Sequence, residues 1–129
     1  MESLYSDSAK RRALQTLFSI DETIRQLIDW NKDIHSTDDF ASSQTGMQLL
    51  AANAMLISAI GEGVNNVNNK LPNFLNSNFP EIPWREIVGM RNRIVHGYFD
   101  LNAEIVLDAI RSGIPQLQEV IKKAILLIK

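Results

Sequence analysis

The sequence contains no cysteine. Disulfides, thiolate metal sites and cysteine nucleophiles are thereby excluded, and a reducing compartment is the expected setting. There is no strong basic excess either. The net charge is −2, which argues against a protein that coats nucleic acid generally but leaves room for a local basic patch. The first residues, Met1-Glu2-Ser3-Leu4-Tyr5, lack the basic-then-apolar build of a secretory signal. The most apolar run, Leu49 to Ile60, is interrupted by Asn53 and Ser58 and falls short of the ~20 residues a bilayer span needs. A soluble, cytoplasmic chain without a membrane segment is expected. No repeat, low-complexity tract or strand-like alternation occurs.

What is present is an ordinary globular composition: 129 residues, 45% hydrophobic and 22% charged. That length predicts a single domain over 1–129. Ala13, Leu17, Ile20, Ile24, Leu27 and Ile28 recur at helical spacing and predict an amphipathic helix over about 8–31. Ser36 or Thr37 can cap a second, central helix over about 38–70, with Asp38 and Asp39 in its first turn. Pro72 suits the start of a short helix, and Pro80 and Pro83 bracket a break. A third major helix is predicted from Pro83 to about Gly97, a usual kind of helix stop. Asn102 can cap the last helix, which reaches about Leu127 and should be kinked by Gly113 and Pro115. The fold class is all-α, an antiparallel bundle of four to five helices.

Two charges sit oddly in this pattern. Trp84, Ile87, Val88, Ile94 and Val95 form an apolar stripe, and at ~100° per residue Arg91 falls in its centre. A guanidinium there is costly unless paired. Glu62 is the sole charge between Asp39 and Lys70. The two therefore suggest a pair, either a structural ion pair or a carboxylate that orients Arg91 toward a phosphate.

The chemistry concentrates in Arg91-Asn92-Arg93-Ile94-Val95-His96-Gly97-Tyr98. A histidine near a helix C-terminus can act as general acid or base near neutrality. An arginine can hold a phosphate and neutralise charge during its transfer. Together, without metal ligands, they suit attack of a ribose 2′-hydroxyl on the adjacent phosphate, which requires RNA. On an ideal helix, however, Arg91 and His96 lie about 140° apart, so a loosened helix end or a second subunit must bring them to one phosphate. The bland alternatives are a capping or surface histidine and solvated arginines. His35, in a polar loop, reads as plain surface, and the two histidines with scattered acids have no metal-ligand spacing.

The segments Ile60-Gly61-Glu62, Phe79-Pro80-Glu81-Ile82-Pro83-Trp84 and Gly89 to Tyr98, in this order and spacing, resemble the HepT-like branch of the HEPN superfamily. The likeness runs from about Ala54 to Leu117, and Arg-x4-His-x-Tyr is that family's signature. The resemblance implies a homodimeric, metal-independent RNA endonuclease without a cofactor, the toxin of a toxin–antitoxin system. It implies Arg91 and His96 as the catalytic pair, with Asn92 in the site and Glu62 supporting. The implied partner is a minimal nucleotidyltransferase antitoxin that transfers AMP to Tyr98. Gly63 stands where the family usually has Ala and could loosen the helix near Glu62. A non-catalytic module that binds nucleotide or RNA, or docks a partner through Arg85, Arg91, Arg93 and His96, is the alternative. A structural dimer without ligand is the third.

Overall fold

The computed structural model describes residues 4–95 and 100–129. His96, Gly97 and Tyr98 lie outside the described residues. The helices are α1 (Asp7–Trp30), α2 (Asp38–Ala41), α3 (Gln44–Lys70), α4 (Phe74–Asn78), α5 (Trp84–Val88), α6 (Met90–Ile94), α7 (Ala103–Asp108) and α8 (Ile114–Ile128), with a π-turn over Ala109–Gly113 joining the last two. No strand occurs among the described residues; one isolated bridge links Val95 to Leu101. The fold is all-α, as the periodicity predicts.

Helix α1 starts where Ser6 Oγ accepts from the Ala9 amide, satisfying one of the unpaired first-turn donors. It buries Ala13, Leu17, Ile20, Ile24 and Leu27, while Ile28 is left 37% exposed. Each of the Leu and Ile side chains there contributes about 1.5–3 kcal/mol on burial. Asp21 is also buried. One of its oxygens pairs with Arg25 at 2.8 Å, and the other has no hydrogen-bond partner among the described residues.

Contacts along α1 fix its direction against α3. Thr16 bonds Asn66, Ile20 lies against Gly63, and Asn31 exchanges two 2.8 Å amide bonds with Asn53. Rising numbers meet falling numbers, so the two helices are antiparallel. The Asn31–Asn53 pair is buried and satisfied, which explains the polar interruption in the apolar run of α3. Lys129 sits over Phe18 and Arg111 bonds the His35 carbonyl, so α8 is antiparallel to α1 as well.

Three expected boundaries shift. The predicted 38–70 helix breaks at Ser42-Ser43, because Ser43 Oγ caps α3 by accepting from the Gly46 amide. Thr37 makes no side-chain cap for α2. Asp39 instead reaches back to the His35 and Ser36 amides, and these two bonds, His35 first, hold its carboxyl below the usual range. The predicted 83–97 helix divides at Gly89 (φ −86°, ψ 1°) and stops at Ile94, with Val95 extended. The last helix behaves as expected. Asn102 Oδ1 accepts from the Ile105 amide, and the rod widens into the π-turn just before Pro115. Proline cannot donate to the carbonyl four residues earlier and clashes with it, and a wider turn relieves both.

Length and composition alone would let α3 cross a bilayer, an outcome the short Leu49–Ile60 run did not predict. Its contacts make it the central helix, packed against α1, α2, α5, α6 and α7. Gly61 is the tightest of those contacts that bears on the site: a Cβ there would lie 2.8 Å from the Ile87 carbonyl oxygen. Gly63 does not loosen α3, which runs unbroken through it; it makes room for Ile20, whose side chain would meet a Cβ at 2.9 Å.

These two glycines should respond differently to alanine. At Gly63 the obstacle is a side chain, and the ~1 kcal/mol gain in helix propensity offsets the repacking. At Gly61 the obstacle is backbone. Urea unfolding should show Gly61→Ala less stable than Gly63→Ala by at least ~1 kcal/mol; equal midpoints would contradict the backbone contact.

Candidate functional site

The 3.6-residue pattern places Arg91 inside the apolar stripe. The structure places it at the surface. The break at Gly89 is the cause, because the helical phase is not carried across a residue with ψ near zero. Trp84 stays buried on α5, its indole N–H donating to the Phe79 carbonyl at 2.9 Å. On α6 only Ile94 is buried, while Arg91, Asn92 and Arg93 are exposed.

Arg91 and Glu62 do come together, though not as a pair. Both line a hollow of about 340 Å³ with Ala54, Met55, Ser58, Ala59 and Val95. The ion pairs among the described residues are Lys10–Asp7, Arg25–Asp21 and Lys32–Asp29. The expected Glu62–Arg91 ion pair is therefore absent, and both side chains are exposed. An exposed guanidinium keeps its hydration and needs no buried counter-charge, so the premise for the pair falls with the burial. Asn92 is exposed one residue on but does not line the hollow.

The expected basic patch is divided as well. Arg93 lines a different cleft, lying between α3, α5–α6 and the α7–α8 rod, and Arg85 lines neither. Residues 91 and 93 are about 200° apart on a helix, so α6 presents one arginine to each side. His35 is exposed, as expected.

One feature of the site was missed from the sequence. Met47, Ala51, Met55 and Ala59 recur every four residues on α3 and are all exposed, with Met55 at 74%. They form an uncovered stripe opposite the core-facing Ile57, Ile60 and Val64, ending at Glu62 and the Arg91 hollow. The signal was available: a helix apolar on both faces is normally covered on both.

Chemically, the hollow offers an accessible guanidinium able to take two phosphate oxygens, beside one carboxylate and an apolar wall. The segment that follows α6 carries His96 and Tyr98.

Residues 20–124 match the family model described as "Ribonuclease HepT-like". A Thermococcus cleftensis protein named "Probable ribonuclease HepT" is 28% identical over 109 residues, covering 84% of this chain and 92% of its own length. A Methanocaldococcus jannaschii protein named "Putative RNase MJ0127" is 27% identical over 110 residues, covering 82% of this chain and 84% of its own. No solved structure matches the chain at a significant level.

Because Glu62 and Arg91 are solvated and separate, Glu62→Gln and Arg91→Gln should each leave stability within ~0.5 kcal/mol of the parent. A loss of ~3 kcal/mol in either, read by urea denaturation, would instead report a buried pair.

Proposed function

The chain belongs to the HepT-like ribonuclease family, and from that footing we propose that it is a metal-independent RNA endonuclease acting as the toxin of a toxin–antitoxin system. The observation that supports this most directly is Arg91. Its guanidinium is exposed at the edge of a hollow and has no ion-pair partner among the described residues, so none of their carboxylates must be released before it receives a phosphate.

In this reading Arg91 and His96 are the catalytic pair and Asn92 assists. The ribose 2′-oxygen attacks the adjacent phosphorus and gives its proton to a base. The P–O5′ bond breaks, and the departing 5′-oxygen takes up a proton. The products are a 2′,3′-cyclic phosphate and a 5′-hydroxyl. His96 moves the proton, and Arg91 balances charge on the non-bridging oxygens. Glu62, on the same hollow, biases the guanidinium's position without holding it.

The working unit is a homodimer that closes the α3 stripe. Ala51 and Ala59 permit close approach of a second helix, while Met47 and Met55 fill irregular gaps across it. Such an isologous contact would cover the wall of the hollow and draw the two Arg91 side chains toward one cleft. Because α6 stops at Ile94 and Val95 is extended, the ideal-helix spacing of Arg91 and His96 no longer applies, and the role of the second subunit in this reading is to cover the cleft.

Arg91→Ala and His96→Ala should each reduce RNA cleavage at least ~10²-fold and relieve growth arrest on expression. Met55→Lys should give a folded monomer, by light scattering, with the same loss. Unchanged cleavage in the two single variants would reject the catalytic assignment. Salt-sensitive RNA binding with no product would favour the binding-module reading.

Tyr98 is proposed as the acceptor of AMP from a minimal nucleotidyltransferase antitoxin. The phenolic oxygen attacks the α-phosphorus of ATP, and pyrophosphate leaves. The adenylate would put negative charge beside Arg91 and exclude RNA. Co-expression with the antitoxin should add one adenylate mass to the parent protein and none to Tyr98→Phe; equal labelling of both would move the acceptor to another hydroxyl.

A further inference from the structure

The larger cleft lies on the far side of α6 from Arg91. It encloses about 400 Å³ over an apolar floor that includes Ile57, Ile60, Ile87, Ile114 and Leu117. Among the described residues its rim carries Glu86, Glu104 and Asp108 against a single cation, Arg93. The three carboxylates are exposed, and none takes part in an ion pair among the described residues. Glu104 and Asp108 are one turn apart on α7, where like charges repel. Such a rim turns RNA away and attracts a cation mounted on an apolar body.

This chain carries a surface of that chemistry. Near the C-terminal end of α8, Leu126 is 74% exposed and Leu127 58% exposed, and both follow the exposed Lys122 and Lys123 by one turn. The nearest acidic side chain on that stretch is Glu119, one turn earlier. Leu126 lies roughly 14 Å farther along the same rod than Leu117, at 1.5 Å per residue, so the end of α8 cannot fold back into its own cleft.

We propose that the end of α8 docks into the acid-rimmed cleft of a second copy of this chain, with Leu126 and Leu127 on the apolar floor and Lys122 and Lys123 against Glu104 and Asp108. The contact joins two different surfaces, so it is heterologous. Unlike the α3 dimer, it adds subunits until a ring closes or a filament grows. It does not depend on the α3 dimer or on RNA cleavage. The occupant would bear on α5–α6 from the side opposite Arg91, which links assembly to the position of that side chain.

Reversing charges tests this on the full chain. Sedimentation velocity across a concentration series should show the parent protein forming species larger than a dimer, with dissociation between about 0.1 and 0.5 M salt. Glu104→Lys/Asp108→Lys and Lys122→Glu/Lys123→Glu, each alone, should stop at the dimer or below, because like charges then meet. An equal mixture of the two should regain the larger species, since each variant's cleft then complements the other's α8. Leu126→Ser/Leu127→Ser, which changes no charge, should also abolish them. In a Met55→Lys background the salt-sensitive growth should persist, which separates this contact from the α3 dimer. The proposal is overturned if the parent chain shows no species beyond a dimer, if either charge reversal leaves them intact, or if the mixture fails to restore them.

Discussion

The approach of the α5 backbone to Gly61 governs the part of the molecule that carries the candidate site. A carbonyl oxygen 2.8 Å from where a Cβ would stand leaves no other residue type at that position without displacement. With α5 pressed onto α3 there, and Trp84 tied to the Phe79 carbonyl at its start, the short segment that follows has little freedom. Gly89 then turns the chain, Ile94 anchors it in the core, and Arg91 and Arg93 are left on opposite sides. The two clefts flanking α6 are thus set by a contact that contains no side chain on one side and a main-chain carbonyl on the other.

Much of the frame was legible in the residues. The core stripe of α1, the Asn102 cap and the interruption at Gly113 and Pro115 all appear where periodicity and cap chemistry place them. The errors share one cause. A helical wheel extends its phase through every residue, and it reads an interior glycine as a propensity cost rather than as a break. The wheel puts Arg91 in the interior because it runs through Gly89, and the Glu62 pairing rests in part on that burial. The wheel likewise runs through Ser43, whose capping bond to the Gly46 amide it does not register. Periodicity marks neither His96 nor Tyr98: His96 is proposed from its chemistry beside Arg91, and Tyr98 from the resemblance alone.

Helix α3 explains why its composition is unusual. One face supplies Ile57, Ile60, Val64 and Val67 to the core, and the other carries methionines and alanines outward. Its one acidic residue, Glu62, lines the Arg91 hollow. The Asn31–Asn53 exchange is the buried side-chain hydrogen-bond tie between this helix and the end of α1. That tie fixes the sliding register of α1 on α3, because its four polar atoms are satisfied in one alignment only.

The π-turn in the last rod has a bearing on how this fold can vary. Val106, Ile110 and Ile114 are buried at successive four-residue steps, which on an α-helix would drift about 80° around the axis. The wider turn takes up that drift, so α7 faces its cleft while α8 faces α1. The spacing of the rod is consequently under tighter control than its lettering. Exchanging one aliphatic for another between 106 and 114 perturbs packing locally, whereas gaining or losing a single residue there would rotate one half of the rod against the other. Variation in length should therefore collect in the connections between helices, and the count of residues across this turn should be among the most constant properties of the fold.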